Sequence, residues 1–275
     1  MKHKVLVTGS SGYLGEAVVA ALSDHHEVVP LQLRLGEIQP GTLEFDAVIH
    51  TAGALRHRSA EHFSANVEGT RCLLEGLAKP TRIIMISSRG VYSPSSTVLT
   101  EDSPVGAVDS YGSSKLEAER MLSVSGHPFV ILRSTAIYGW SVSQPGMTFP
   151  TQAVRSLLAG GPVAVYQPDR PHDYLFVRDL AAWVRILLEP GSHWNQTFNA
   201  AGEAGSVTEL VSRIATEFVT RCGNEAQLIY RPGPPPVAPV VDCRKIHGEL
   251  PGLAFTPVGE VVRELVARMS LHPLV

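Results

Sequence analysis

The chain has 275 residues, 44% of them hydrophobic, and a formal net charge of −3. That length can bury a large core, and the near-neutral balance gives no electrostatic footing for nucleic acid or an anionic membrane. No apolar run reaches the roughly 18 residues that a span needs, no signal-peptide core precedes the first apolar run, and Cys72, Cys222 and Cys243 lack metal-ligand spacing. A cytoplasmic chain with reduced thiols and no metal is therefore expected.

Buried apolar runs at 4–7, 27–32, 46–50, 82–87, 128–133 and, more weakly, 163–166 read as strands. Helical patterns fall between them at 13–23, 63–78, 110–124, 148–159 and 178–188. This alternation predicts an α/β protein with a doubly wound parallel sheet covered on both faces. The later third is richer in Pro and Gly, carries an extended loop at Arg231-Pro232-Gly233-Pro234-Pro235-Pro236, and ends in a helix around 257–269. It reads as a small substrate-binding part interleaved with the sheet. Residues 1–139, with a returning segment 173–200, form the dinucleotide-binding part; 140–172 and 201–275 form the other.

Chemistry concentrates at two places. The first strand runs into Thr8-Gly9-Ser10-Ser11-Gly12-Tyr13-Leu14-Gly15 and then a helix. Gly9 permits a tight turn, Gly12 lets backbone N–H groups approach a pyrophosphate, and Gly15 lets helix and strand pack closely, with the helix dipole adding positive potential. Further on, Tyr111-Gly112-Ser113-Ser114-Lys115 sets a phenol and an ammonium four apart on one helix face. A tyrosine titrates near ~10, and a neighbouring cation favours its phenolate, so the pair suits proton exchange with a carbonyl or alkoxide. Ser87-Ser88, at the end of the run Arg82–Ile86, supplies a hydroxyl at the same edge.

TGxxGxxG followed by YxxxK resembles the extended short-chain dehydrogenase/reductases, the NAD(P)-dependent epimerase/dehydratase family. Other segments carry the resemblance along nearly the whole chain. Asp46-Ala47-Val48-Ile49-His50-Thr51-Ala52-Gly53 is similar to DxVIHxAA, Asn66-Val67-Glu68-Gly69-Thr70 to NVxGT, and Ser87-Ser88-Arg89-Gly90-Val91-Tyr92 to SSxxVYG. Ile131–Gly139 is similar to LRxxxVYG, His172–Ala181 to RDYxHVxDxA, and Phe198–Gly202 to YNxGxG.

The resemblance implies a Rossmann fold and a triad of Ser88, Tyr111 and Lys115. In that triad Ser88 holds the substrate oxygen, and Lys115 orients the nicotinamide ribose and tunes Tyr111. It places cofactor contacts at Gly9, Ser11, Gly12, Tyr13, Leu14, Gly15, Thr51, Ala52, Gly53, Asn66, Ser87, Tyr111 and Lys115. The second strand of relatives ends in an acid that excludes a 2′-phosphate; here Gln32 stands near that place and Arg34 just beyond, so NADP is preferred to NAD.

For the substrate, relatives use an Arg where this chain has His172, with Arg170 two residues earlier. Arg89 and Tyr138 complete the expected substrate contacts, and the substrate is expected to be a small molecule, anionic or nucleotide-linked. Arg56 and Arg58 read as solvated loop cations, and His50 as a packed, hydrogen-bonded imidazole. A ketoreductase is the leading reading. A sugar-nucleotide C4-epimerase retaining NAD and a non-catalytic, cofactor-sensing subunit are the alternatives. Many relatives dimerise through helices such as 63–78 and 110–124, so a homodimer stands beside a monomer.

Overall fold

A computed structural model describes residues 2–31, 35–54, 56–95, 97–141, 148–191, 193–231 and 240–271. Gln32, Arg34 and the proline-rich segment after Arg231 lie outside the described residues. The first half runs β1 (Lys4–Thr8), α1 (Tyr13–Leu22), β2 (Glu27–Pro30), β3 (Ala47–His50), α2 (Gly69–Gly76), β4 (Arg82–Ser88), α3 (Ser110–Ser123) and β5 (Phe129–Ser134). Then follow β6 (Ile137–Tyr138), α4 (Phe149–Leu158), β7 (Val163–Tyr166), β8 (Pro171–His172), β9 (Leu175–Phe176), α5 (Val177–Leu187) and β10 (Gln196–Ala200). The chain continues through β11 (Gly205–Ser206), α6 (Val207–Cys222), β12 (Leu228–Arg231), α7 (Arg244–Glu249) and α8 (Val258–Leu271).

Six strands form one parallel sheet in the order β10-β5-β4-β3-β1-β2. Strand residues alternate between its faces. Val5, Val7, Ala47, Ile49, Ile84, Ile86, Val130 and Leu132 pack with α1, α4, α5, α6 and α8. Leu6, Val48, Ile83, Met85 and Ile131 pack with Leu73 of α2 and with Ala118 and Leu122 of α3. A period of two with both faces apolar is what a sheet buried between two helical layers requires. The doubly wound sheet expected from the sequence is present.

Two expectations are corrected. The strand at 163–166 is outside the main sheet: β7 pairs in parallel with β12 as a separate two-stranded ribbon. The main sheet's sixth strand is β10, which pairs with β5 from Gln196↔Val130 to Ala200↔Ser134. The helix at 63–78 begins as a π-helical turn, His62–Glu68, before α2. A polar side chain accounts for the widening. Asn66 accepts from the Ala54 N–H at 2.8 Å and donates to Ser114 Oγ at 2.8 Å, while its own carbonyl takes the Thr70 hydroxyl at 2.6 Å. π-helical turns concentrate at functional sites, and this one faces the edge where β3 and β4 end.

Candidate active site

The glycine turn is built by close approach. Gly9 sits at φ +67°, and a Cβ there would stand 2.7 Å from the Ala52 nitrogen. A Cβ at Gly15 would fall 2.0 Å from the Gly9 carbonyl oxygen, so α1 can start here only on glycine. The Gly12 N–H donates to Gly9 O at 2.9 Å and Gly12 forms the N-terminal boundary of α1. The floor continues from Ala52 to Gly53, where a Cβ would lie 2.6 Å from Asn66 Oδ1 and 3.0 Å from Lys115 Nζ. Turn, shelf and ammonium are thus one contiguous surface. A cradle lined by backbone and closed to side chains fits a dinucleotide, with the helix N-terminus beside its phosphates.

Thr8, His50 and Thr70 hold that shelf from below. Thr70 donates to Asn66 O, so it accepts from His50 Nε2–H at 3.0 Å. His50 Nδ1 then accepts from the Thr8 hydroxyl at 2.8 Å, and Thr8 Oγ1 accepts from the Ala52 N–H at 3.3 Å. Thr51 Oγ1 donates to Thr8 O at 2.7 Å. One tautomer satisfies every group, as expected of a structural imidazole. Burial, with Lys115 nearby, pushes the His50 pKa down to about 3 from 6.5. Because the folded state resists the proton that the unfolded state accepts below pH 6.5, stability is full above that value and falls as pH drops toward 3. Replacing His50 with Gln should remove about 2 kcal/mol of the stability lost between pH 7 and 5, read as a flatter dependence of Tm on pH.

The triad lies at the end of β4 and the start of α3. Asp109 caps α3, its Oδ1 accepting from the Gly112 N–H at 2.7 Å. A Cβ at Gly112 would lie 2.1 Å from Gly90 O, so the helix starts directly against the turn after β4. That contact puts Ser88 within hydrogen-bonding reach of the Tyr111 phenol, while Ser88 Oγ also accepts from the Gly90 N–H at 3.1 Å. Lys115, one turn along, is buried and donates to Ile86 O at 3.2 Å. Burial pulls its ammonium down to about 8, opposed by the charge of Glu119. Burial also raises the Tyr111 phenol; Ser88 and the Arg56 charge oppose that rise. The cation that lowers the phenol is Arg56, whose guanidinium lies 4.9 Å from the Tyr111 ring centroid, whereas Lys115, expected from the sequence in that role, donates inward to Ile86 O. Arg58 does meet its expectation as a surface cation, facing the exposed Glu61 at 3.5 Å.

Behind the triad, Glu119 continues the Tyr111–Lys115 face by another four residues. Its carboxylate accepts from Ser87 Oγ at 2.5 Å and from Arg133 Nη2 at 2.8 Å, with Arg133 Nε 3.2 Å from both oxygens. Arg133 stacks over Tyr92 at 4.8 Å, and Tyr92 donates to Asn199 Oδ1 at 2.6 Å. Ser87 therefore serves this network, and its hydroxyl donates inward to a carboxylate. The sequence placed Arg133 and Asn199 only inside the LRxxxVYG-like and YNxGxG-like segments and gave Glu119 no role, although the i, i+4, i+8 spacing of Tyr111, Lys115 and Glu119 marks one helix face.

The residues expected at the cofactor and substrate divide. Gly9, Gly12, Gly15, Thr51, Ala52, Gly53, Asn66 and Lys115 are assembled in the cradle; Ser11 lies exposed on its turn and Leu14 is buried beneath it. Among the described residues the buried Tyr13 hydroxyl has no hydrogen-bond partner, and burial raises its phenol. Arg89 is held by buried Asp173, at 3.0 and 3.3 Å from its two oxygens. His172 is buried and stacked 5.2 Å from Tyr174; burial holds its pKa below the usual value, and among the described residues its Nδ1 has no hydrogen-bond partner. Tyr138 is a core residue, 2% exposed, packed 6.0 Å from Tyr174 and 6.1 Å from Phe176. Among the described residues no three His, Cys, Asp or Glu side chains converge, and no helix is long and apolar enough to cross a membrane.

Residues 5–201 match the family model described as the NAD dependent epimerase/dehydratase family. The chain belongs to this family. A UDP-glucose 4-epimerase of Azospirillum brasilense is 30% identical over 67% of this chain and 68% of its own length. A UDP-2-acetamido-2,6-beta-L-arabino-hexul-4-ose reductase of Pseudomonas aeruginosa is 31% identical over 50% of this chain and 37% of its own. Among solved structures, RMD from Pseudomonas aeruginosa complexed with NADPH superposes with a TM-score of 0.82, covering 98% of both chains at 20% identity, a likeness of fold. Membership makes the chain an NAD(P)-dependent enzyme of the oxidoreductase or epimerase kind. In this family's fold the contiguous turn, shelf and triad stand at the carboxyl edge of the sheet, where open α/β sheets bind their ligands.

Proposed function

We propose that the chain is a ketoreductase that moves a hydride between NADP(H) and a carbonyl carbon of a nucleotide-linked sugar. The observation that carries the reading is Ser88 set beside the Tyr111 phenol, with buried Lys115 one turn along, at the end of a glycine cradle. When bound, the nicotinamide supplies or accepts the hydride. Gly9, Gly12, Gly15, Ala52 and Gly53 would hold the dinucleotide, and Lys115 would meet its ribose. Ser88 holds the substrate oxygen and Tyr111 delivers a proton to it, while Lys115 keeps a positive charge nearby that favours the phenolate left behind. The same residues run backwards oxidise an alcohol.

The preference for NADP rests on Gln32 and Arg34. His172, neutral near pH 7 because burial depresses its pKa, supplies no charge for a diphosphate, and Arg89 is engaged by Asp173. A C4-epimerase with retained NAD is the second reading, favoured by the likeness to the Azospirillum brasilense epimerase. Titration with NADPH and NADH separates the two. Exchangeable NADPH binding that weakens on Arg34→Ala supports the reductase; NAD that stays bound through purification, with no preference for the 2′-phosphate, supports the epimerase.

A further inference from the structure

Arg56 is a charged side chain set over the Tyr111 ring, and three separate contacts fix it there. Its guanidinium lies 4.9 Å from the ring centroid. Its Nη1 pairs with Asp109, the carboxylate that also caps α3 one residue before Ser110 and two before Tyr111. Its Nη2 occupies the space beside Gly90, where a Cβ would come within 2.7 Å of it. The buried His62 ring also meets Tyr111 edge-on at 5.5 Å and is tied to Ser110 Oγ at 2.9 Å. A phenol ring in contact with both a cation and an imidazole has few rotamers left.

We infer that Arg56, tethered by Asp109, is a positioning residue that holds the Tyr111 ring in its proton-transferring orientation and supplies the cation facing its phenolate. Every element around the ring enters the account. The loop after β3 brings Arg56, the end of β4 brings Ser88, the π-helical turn brings His62, and α3 itself brings Asp109 and Lys115. Asp109 tethers Arg56 through the ion pair, and of the two charges it is Arg56 that acts on the phenol. Lys115 points inward to Ile86 O and Gly53. Arg56 therefore supplies the field at the ring's outer face, and burial of the phenol is opposed by that charge and by Ser88. Gly90 fits the same scheme: the nearest atom to a methyl there is a movable guanidinium, so the residue type at 90 decides whether Arg56 can lie over the ring.

This inference rests on Tyr111 as the proton-transferring group, and the test separates the two. The Tyr111 phenol is titrated by ultraviolet absorbance after millisecond pH jumps, as the difference between the parent protein and Tyr111→Phe. In Arg56→Gln the midpoint should rise by about half to one pH unit, a shift that shrinks at high salt because the cation is solvent-exposed. Arg56→Lys should keep most of the parent value. Gly90→Ala, which leaves the charge in the chain but displaces it from the ring, should move the midpoint in the same direction as Arg56→Gln. An unchanged midpoint in Arg56→Gln, or in Gly90→Ala should Arg56→Gln not fold, overturns the inference while leaving Tyr111 as the acid. Full hydride transfer by Tyr111→Phe would instead overturn the assignment of Tyr111, whatever the midpoint does.

Discussion

Tyr111→Phe should lower hydride transfer by about 10²–10⁴-fold while dinucleotide affinity stays near that of the parent. The phenol hydroxyl is the one atom removed. The hydroxyl lies beside Ser88 and the ring packs against Arg56 and His62, and the ring survives in Phe. The cradle for the dinucleotide is made by Gly9, Gly12, Gly15 and Gly53 and does not touch that hydroxyl. A loss confined to turnover is therefore expected, with single-turnover absorbance at 340 nm as the readout. A comparable loss of cofactor binding would mean that the phenol supports the cradle instead of the chemistry.

Arg133→Met should cost about 3–5 kcal/mol of folding stability, among the largest single losses available to this chain. The Glu119 and Arg133 side chains are only 5% and 10% exposed. Taking away the guanidinium leaves a carboxylate enclosed between β4, β5 and α3, with Ser87 as its remaining hydrogen-bond donor. It must stay charged without its main partner or take up a proton, and either costs free energy. One sign identifies the cause: Glu119→Leu in the same chain should recover much of the loss, as breaking one half of a buried pair is worse than removing both. Urea melts giving a lower midpoint at constant slope are the measurement. A loss under about 1 kcal/mol would show that water reaches the pair.

The sheet was legible because its strands are short apolar runs and its helices fall regularly between them. Val5–Val7, Ile83–Ile86 and Val130–Leu132 are apolar at every position, which only a sheet covered on both faces needs. β10 was harder: Gln196-Thr197-Phe198-Asn199-Ala200 is half polar, and Asn199 is buried because Tyr92, Leu99, Glu101 and Asp242 satisfy its amide and backbone. The gathering of Ser88, Tyr111 and Lys115 at one edge was legible from spacing on α3 and from the serines at the end of β4. Arg56 was not. Its role depends on the loop after β3 folding over α3, a contact between residues more than fifty apart that no local pattern encodes. The ion pair of Arg89 was not legible either, since its partner Asp173 lies 84 residues away and reads in the chain as part of a family motif.

The most direct measurement is absorbance at 340 nm when the protein, loaded with NADP⁺ or NAD⁺, is mixed with UDP-hexoses, and when the NADPH-loaded protein is mixed with their 4-keto derivatives. A change in reduced cofactor that follows substrate, and that Tyr111→Phe abolishes, is expected. Binding of neither dinucleotide, or a change indifferent to Tyr111, Ser88 and Lys115, would contradict a hydride-transfer site at the end of β4.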